Sequence, residues 1–143
     1  MVTRIIAVLL VVALLVAALG QSDDRAKIQG VWSGYVVEGR GERPDRGPVR
    51  LSEINIKADR ITGKDGNKDL GEGSYTGDVR TNPRQMDTTG LSGEQKGKTY
   101  LGIYSLDGDT LKWCTANPGK PRPTEFISRP SAGQFLMVLK RQR

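Results

Sequence analysis

Histidine is absent from the 143 residues of this chain, and cysteine occurs once, at Cys114. The lack of histidine excludes Ser-His-Asp and Cys-His catalysis together with most zinc sites. A single cysteine cannot form a disulfide within the chain, so the hydrophobic core must stabilise the fold unaided. We therefore expect a protein that is not an enzyme and that needs neither a cofactor nor a metal.

The nearest approach to a metal-binding pattern is an incomplete calcium loop. Asp65, Asn67 and Asp69 have the spacing that opens such a loop. Leu70, however, stands where the sharp turn requires glycine, and Thr76 stands where a bidentate glutamate is needed. The segment therefore predicts a polar hairpin turn.

One long apolar run is present, from Ile5 to Leu19, preceded by Arg4 and followed by Gly20. Its fifteen residues fall short of the roughly 20 that span a bilayer comfortably. The pattern predicts a cleaved signal peptide over residues 1–20, with an uncleaved anchor as the alternative. We expect residues 21–143 to be exported to the periplasm or beyond as one domain without a stable membrane span.

The charge balance is basic but mixed. The chain has 22 Lys and Arg against 16 Asp and Glu, a net charge of +6. Acidic and basic residues are interspersed from Glu38 to Arg46, which is typical of a solvated loop. Nucleic-acid binding requires a basic stripe, often with aromatic stacking platforms, so we expect no nucleic-acid partner. The sequence does not specify an oligomeric state.

Short runs of β-branched and aromatic residues, separated by turn residues, predict an all-β domain. Ser22 to Gly30 predicts a short N-terminal helix with capped ends. Closing the sheet removes exposed edges, so the fold class we predict is an antiparallel up-and-down barrel of about eight strands. The predicted strands are Gly30 to Val37, Val49 to Lys57 with a bulge near Ser52-Glu53, a short one around Ile61-Thr62, Glu72 to Val79, Gln85 to Leu91, the two strands of a hairpin within Thr99 to Cys114, Phe126-Ile127 and Phe135 to Lys140.

The hairpin turn contains Asp107-Gly108. Two registers are open: a three-residue loop with a bulge at Gly108, or a two-residue loop of Asp107 and Gly108 alone. We favour the first because it puts the apolar side chains of both strands on one face. It predicts Cys114 on the outer face and, on the inner face, Leu101, Ile103, Leu111 and Trp113.

Two features predict that part of the barrel is covered from outside. Phe135 to Lys140 is apolar on both faces, so we expect the core on one side and the N-terminal helix or a loop on the other. Asn117 to Pro123 carries three prolines. It therefore predicts an extended surface loop.

The inward apolar residues allow two interpretations, a packed core or a pocket for an apolar ligand. Our leading hypothesis is an exported binding module that holds an apolar or amphipathic small molecule in the barrel. The alternative is an envelope domain with a solid core, whose loops at Arg40 to Arg50 and Asn117 to Pro123 bind protein or polysaccharide. The candidate ligand-lining residues are Trp32, Tyr75, Leu101, Ile103, Leu111 and Trp113.

Five segments of the chain form a familiar set: Lys27 to Trp32, Gly71 to Tyr75, Gly97 to Lys112, Pro118 to Phe126 and Val138 to Arg141. Together they resemble a family of uncharacterised exported domains abundant in planctomycete bacteria, whose members look like lipocalin-type barrels. Gly30-Val-Trp32 after a short helix is similar to the Gly-x-Trp that opens the first strand of a lipocalin. The resemblance implies a lipocalin-like barrel in which Lys140 or Arg141 lies over the Trp32 ring as a cation-π contact. It implies no particular activity.

Overall fold

The structure is a computed structural model that describes residues 24–143. The predicted signal peptide and the capping residue Ser22 lie outside the described residues. Residues 24–27 are helical, and the chain enters its first strand at Gly30. Among the described residues, no helix has the length and apolar character needed to cross a membrane.

The remaining chain forms one antiparallel sheet that closes on itself, which confirms the predicted all-β barrel. The strands are β1 (Gly30–Val37), β2 (Val49–Lys57), β3 (Arg60–Asp65), β4 (Lys68–Asp78), β5 (Arg84–Gly90), β6 (Thr99–Tyr100), β7 (Gly102–Asp107), β8 (Thr110–Ala116) and β9 (Gln134–Arg141). Each strand from β1 to β4 pairs with the next along the chain. The last strand, β9, returns to pair with β1, and β4 pairs with β5 to complete the closure.

The short strand β6 and the strand β7 are two parts of one barrel strand, interrupted at Leu101. Both parts pair with β5, β6 through Thr88 and Thr89 and β7 through Arg84 and Gln85. The barrel therefore has eight strands, as predicted. Phe126-Ile127, expected as a short strand, instead lies in the loop between β8 and β9.

The predicted bulge in β2 is confirmed. Trp32 of β1 pairs with Ile54, whereas Gly34 pairs with Leu51, so β2 has two residues where β1 has one. The two residues are Ser52 and Glu53. Such a bulge reverses the alternation along the strand, which keeps Leu51 and Ile54 both inside the barrel.

The favoured hairpin register is wrong, and so is its alternative. Leu106 pairs with Leu111 and Tyr104 with Trp113, so the turn consists of Gly108 and Asp109. Gly108 has a φ of 56°, as expected of glycine in the first position of a two-residue turn. The register turns Ile103 outward, opposite Cys114. Cys114 does lie on the outer face, as predicted, and it is a free cysteine.

Two apolar clusters lie on opposite sides of the barrel wall. The inner cluster contains Trp32 and Trp113, while the outer cluster lies on β1, β7, β8 and β9. Phe126, from the loop between β8 and β9, packs onto the outer cluster. The prediction that β9 is covered on both faces is confirmed, with a loop providing the outer cover. The outer cluster consists of Val37, Ile103, Cys114, Leu136 and Val138.

One end of the barrel is closed by the N-terminal helix and by Arg141. The guanidinium of Arg141 lies 4.3 Å from the centroid of the Trp32 ring, so the predicted cation-π contact is confirmed at Arg141. The indole N–H of Trp32 donates to the carbonyl of Ile28 at 2.9 Å. Fully buried Trp32 therefore has its polar atom paired as well as its ring covered. We call this end the closed end and the opposite end the mouth.

Candidate ligand-binding site

A cavity of about 310 Å³ opens at the mouth of the barrel. Its wall is largely aliphatic, with contributions from β2, β3, β4, β5, β8 and β9. Such composition and volume are typical of a site for a small apolar molecule, near the lower limit of ligand pockets. The lining residues are Leu51, Ile54, Ile61, Gly63, Leu70, Gly71, Glu72, Gly73, Thr88, Gly90, Ser92, Gln95, Tyr100, Trp113, Thr115 and Met137.

Glycine creates the cavity by replacing large side chains in the half of the barrel nearest the mouth. On β3, Ile61 faces the packed interior, and Gly63 stands two residues nearer the mouth. On β4, Tyr75 fills the interior, and Gly73 and Gly71 follow toward the mouth. Strand pairing places Gly63 directly opposite Gly71. The half of the barrel nearest the closed end is therefore filled with side chains, and the half nearest the mouth contains the cavity.

Some of these glycines also allow neighbouring groups to approach closely. A Cβ on Gly73 would lie 2.8 Å from Cγ2 of Thr88, and one on Gly90 would lie 2.1 Å from the carbonyl oxygen of Gln95. A Cβ on Gly63 would meet only the flexible side chains of Ile54 and Leu70, at 3.2 Å and 3.5 Å. Gly63 is therefore the position where a larger side chain would enter the cavity with least disturbance.

The cavity includes one of the six predicted lining residues, Trp113. Trp32, Tyr75 and Leu111 lie inside the barrel as expected, but in its packed core. Ile103 belongs to the outer cluster, because the observed hairpin register turns it outward. Leu101 lies in the interruption between β6 and β7, is half-buried, and belongs to neither cluster.

Two of the lining residues each have a buried polar atom without a hydrogen-bond partner among the described residues: Nε1 of Trp113 and Oγ1 of Thr88. Trp113 is only 5% exposed. A buried N–H or hydroxyl left unpaired costs free energy, since it has lost water without gaining a partner. The indole N–H of Trp32, by contrast, donates a hydrogen bond to a backbone carbonyl.

The rim of the cavity is formed by a loop that follows β5. Its 3₁₀ turn, Gly93–Gln95, brings Gln95 to accept a hydrogen bond from the hydroxyl of Tyr100. Burial raises the pKa of Tyr100, so this hydroxyl stays protonated to a higher pH than that of a free tyrosine. Glu72 is the charged residue of the lining, and its carboxylate lies 3.4 Å from the guanidinium of Arg60.

The wall beside Trp113 depends on a side-chain clamp. At the interruption between β6 and β7, the amide of Gly102 donates to the carboxylate of Asp87 at 3.1 Å. Arg122, from the proline-rich loop, donates to both carboxylate oxygens of Asp87 and, at 2.7 Å, to the carbonyl of Gly102. The clamp thus replaces backbone pairing and ties the loop to the barrel wall.

Cys114 shows no sign of a reactive site. It is fully buried in the outer cluster, and its thiol lies 3.6 Å from the carbonyl of Ile127. Burial raises the pKa of the thiol, so the nucleophilic thiolate is disfavoured. Cys114 therefore acts as a small packing residue.

A second cavity, of about 630 Å³, lies at the closed end, and four of its charged residues form two ion pairs. Asp24 pairs with Arg84 at 3.0 Å, and Asp109 pairs with Arg141 at 3.4 Å. Among residues 24–143, no group of three or more histidine, cysteine, aspartate or glutamate side chains is arranged to hold a metal ion. The mouth cavity is therefore the stronger candidate for ligand binding.

The glycines and Thr88 were not predicted as site residues. A signal for them exists in the sequence, since Gly71 and Gly73 are two residues apart and so face the same side of a strand. Glycine is also common in turns, so this spacing alone does not identify a cavity. The glycines form a cavity only because the register of β3 and β4 places Gly63 opposite Gly71, and that register cannot be derived from the spacing within one strand.

Comparison of this chain with protein-family models, with curated proteins and with solved structures found no significant match. The fold and the geometry of the cavity are therefore the basis for inferring function.

Proposed function

We propose that this chain is an exported, non-enzymatic binding module that holds an apolar or amphipathic small molecule in the mouth of its barrel. The observation that carries the proposal is the cavity of about 310 Å³ with its aliphatic wall. A barrel without a ligand role gains stability from filling such space, because cavities in a core are destabilising. Glycine at facing positions of β3 and β4 keeps the space open instead.

The size of the cavity limits the ligand. At about 30 Å³ for each water molecule, the volume equals about ten waters, which suggests a molecule of about ten non-hydrogen atoms. Ligands of that size bind with a favourable free energy of about 5–8 kcal/mol, which corresponds to a dissociation constant of about 200 µM to 1 µM. We therefore expect measurable but moderate affinity.

Export and membership of the lipocalin-like planctomycete family are part of the same proposal. Support for export is the apolar run from Ile5 to Leu19. Support for the family is the arrangement at the closed end, where a helix precedes Gly30-Val-Trp32 and Arg141 covers the Trp32 ring. A barrel closed at one end and open at the other is suited to carrying a ligand that enters from one direction.

The alternative, binding of protein or polysaccharide through the loops, has weaker support. The loop between β1 and β2 is joined to the loop between β8 and β9 by an Arg40–Glu125 ion pair at 3.0 Å. The amide of Ser128 also donates to the carbonyl of Gly39 at 2.7 Å. Both contacts help the two loops cover the outer cluster. Packing against the barrel therefore explains these loops, and no binding partner is needed to explain them.

Replacement of Gly63 by valine tests the proposal. Native mass spectrometry and tryptophan fluorescence are applied to the purified protein with a panel of small lipids and metabolites. We expect binding to the wild type, at least tenfold weaker binding to Gly63→Val, and unchanged binding to Thr62→Val, which alters an exposed neighbour on the same strand. If the wild type binds no member of the panel, or if Gly63→Val binds equally well, the proposal is wrong.

A further inference from the structure

We infer that Leu70 borders the outer part of a ligand in the mouth cavity and sets the longest apolar chain that the cavity accepts. The inference rests on the proposed function, because it concerns the same cavity. It adds a residue that determines specificity and an upper limit on the length of the ligand.

Leu70 is the extra residue of a bulge in β4. Gly63 of β3 pairs with Gly71. The next residue of β3, Lys64, pairs with Asp69, so Leu70 has no partner on that strand. A bulge changes the direction of nearby side chains, and bulges are common beside functional sites. Here two consecutive residues, Leu70 and Gly71, both line the cavity, where regular alternation along a strand would allow only one.

Two local features hold this bulge in place. The amide of Gly71 donates to Oδ1 of Asp69 at 2.9 Å, across the intervening Leu70. Gly71 has a φ of 112°, a conformation that residues with a side chain rarely adopt. The carboxylate of Asp69, part of the incomplete calcium loop, therefore stabilises the backbone of the bulge and the position of Leu70.

The side chain of Leu70 lies beside the inner face of Gly63. A Cβ on Gly63 would lie 3.5 Å from Cβ of Leu70 and 3.8 Å from its Cδ1. The same point is 3.2 Å from Cδ1 of Ile54, a residue of the inner cluster. The space left by the missing side chain at Gly63 is therefore bordered by Ile54 from β2 and by Leu70 from β4.

Leu70 is also the place where the apolar wall meets solvent. Its exposed fraction is 38%, whereas Ile54 and Ile61 of the same wall are 5% and 7% exposed. The residues that precede it on β4, Asp69 and Lys68, are charged and exposed. A ligand in the cavity would cover part of the apolar surface of Leu70, and the removal of that surface from water favours binding.

The end of the apolar wall limits the length of the ligand. Each methylene group that enters an apolar site tightens binding about fourfold, whereas chain atoms that extend past Leu70 enter solvent and add little. The cavity of about 310 Å³ holds about ten non-hydrogen atoms, so we expect the limit for a straight-chain alcohol close to nonanol. Leu70→Ala removes three carbon atoms from the wall and should move this limit outward by about three chain carbons.

A series of straight-chain alcohols tests the inference: hexanol, octanol, decanol and dodecanol. Their dissociation constants are measured for the purified protein by tryptophan fluorescence, to which Trp113 of the cavity wall contributes. For the wild type, octanol should bind about tenfold more tightly than hexanol, and dodecanol less than about twofold more tightly than decanol. For Leu70→Ala, dodecanol should bind at least about fivefold more tightly than decanol.

Two further variants show whether the effect belongs to this position. Leu70→Phe enlarges the side chain, so the limit should move inward and decanol should bind no more tightly than octanol. Val49→Ala is the control, since Val49 on β2 is 41% exposed but does not line the cavity. It should keep the limit of the wild type. Circular dichroism verifies that each variant is folded, and if Leu70→Ala is not, the inward shift in Leu70→Phe tests the same claim.

The outcomes separate this inference from the proposed function. If the wild type has a length limit and the folded Leu70 variants keep it, or if Val49→Ala moves it equally, the inference is wrong and the proposed function stands. A wild-type affinity that rises steadily through dodecanol also overturns the inference, because the apolar wall would then not end at Leu70. If none of the four alcohols binds the wild type, both the inference and the proposed function fail.

Discussion

Arg141 lies over Trp32, with its guanidinium 4.3 Å from the ring centroid, and joins the last strand to the first at the closed end. The same guanidinium donates to the backbone carbonyls of Gln29, at 2.7 Å, and Lys27. One side chain thus covers the indole ring and also donates hydrogen bonds to two backbone carbonyls where the helix ends. Closure of this end leaves the mouth as the route into the barrel.

Replacing Arg141 by alanine should destabilise the protein by about 2–4 kcal/mol, because the cation-π contact and two charge-assisted hydrogen bonds are lost together. Urea denaturation followed by circular dichroism measures the change. Arg143→Ala, which removes a largely exposed arginine from the same end, should cost less than about 1 kcal/mol. Equal costs for the two variants would show that the contact with Trp32 is unimportant.

Replacing Arg122 by alanine should destabilise the protein by about 2–3 kcal/mol, because it leaves the half-buried carboxylate of Asp87 without its ionic partner. The amide of Gly102 should also exchange its hydrogen faster, which hydrogen-exchange NMR measures directly. Arg46→Ala is the control, since Arg46 pairs with Asp45 in solvent at 3.8 Å. An unchanged exchange rate at Gly102 would contradict the role of the clamp.

The free energy of unfolding should fall as pH rises above about 10. Burial, and a hydrogen bond of 2.6 Å to Asp24, raise the pKa of Tyr104 above that of a free tyrosine. The unfolded chain therefore releases this proton at a pH where the folded chain keeps it. Deprotonation then favours unfolding, by about 1.4 kcal/mol for each pH unit above the unfolded pKa.

Tyr104→Phe tests this pH dependence. The variant should lose stability at neutral pH, where the hydrogen bond to Asp24 is intact, by about 1.5–3 kcal/mol. Between pH 10 and 12 its stability should fall less steeply than that of the wild type, as measured by denaturation at each pH. The prediction is refuted by a variant whose pH dependence is as steep as that of the wild type.

Cys114 should resist alkylation in the folded protein. Burial raises the pKa of its thiol and shields it from reagents. Labelling with iodoacetamide at pH 8 should be more than about a hundredfold slower in native protein than in guanidinium chloride, because it requires local opening. Mass spectrometry follows the reaction. Comparable rates in the two conditions would show that the outer cluster is open.

Much of the fold could be predicted from local patterns. β1 and β2 begin and end at the predicted residues, and the bulge at Ser52-Glu53 was visible as a shift in apolar phase. These features depend on neighbouring residues in the sequence. The contact of Arg141 with Trp32 was expected only from the family resemblance, since it joins residues far apart in the chain.

The hairpin register and the cavity were not predictable in the same way. A three-residue loop at Leu106 to Gly108 and a two-residue turn of Gly108 and Asp109 both suit this sequence, and the choice between them decides which side of the wall Ile103 faces. The outer face of the hairpin is also apolar, because it carries part of the outer cluster. Apolar character alone therefore does not distinguish its inner face from its outer face. The loop that carries Phe126 makes that cluster possible, and no local pattern indicates where a loop will pack.

The most direct test of the central claim is a map of backbone amide shifts on titration of the purified protein with toluene. The account predicts saturable shifts at the mouth glycines Gly63, Gly71 and Gly73, and none at Gly77 and Gly108, which lie toward the closed end. The Gly63→Val variant should abolish saturation. Absence of saturable shifts at the mouth, or shifts of the same size at both ends, would contradict the claim that the mouth cavity binds a ligand.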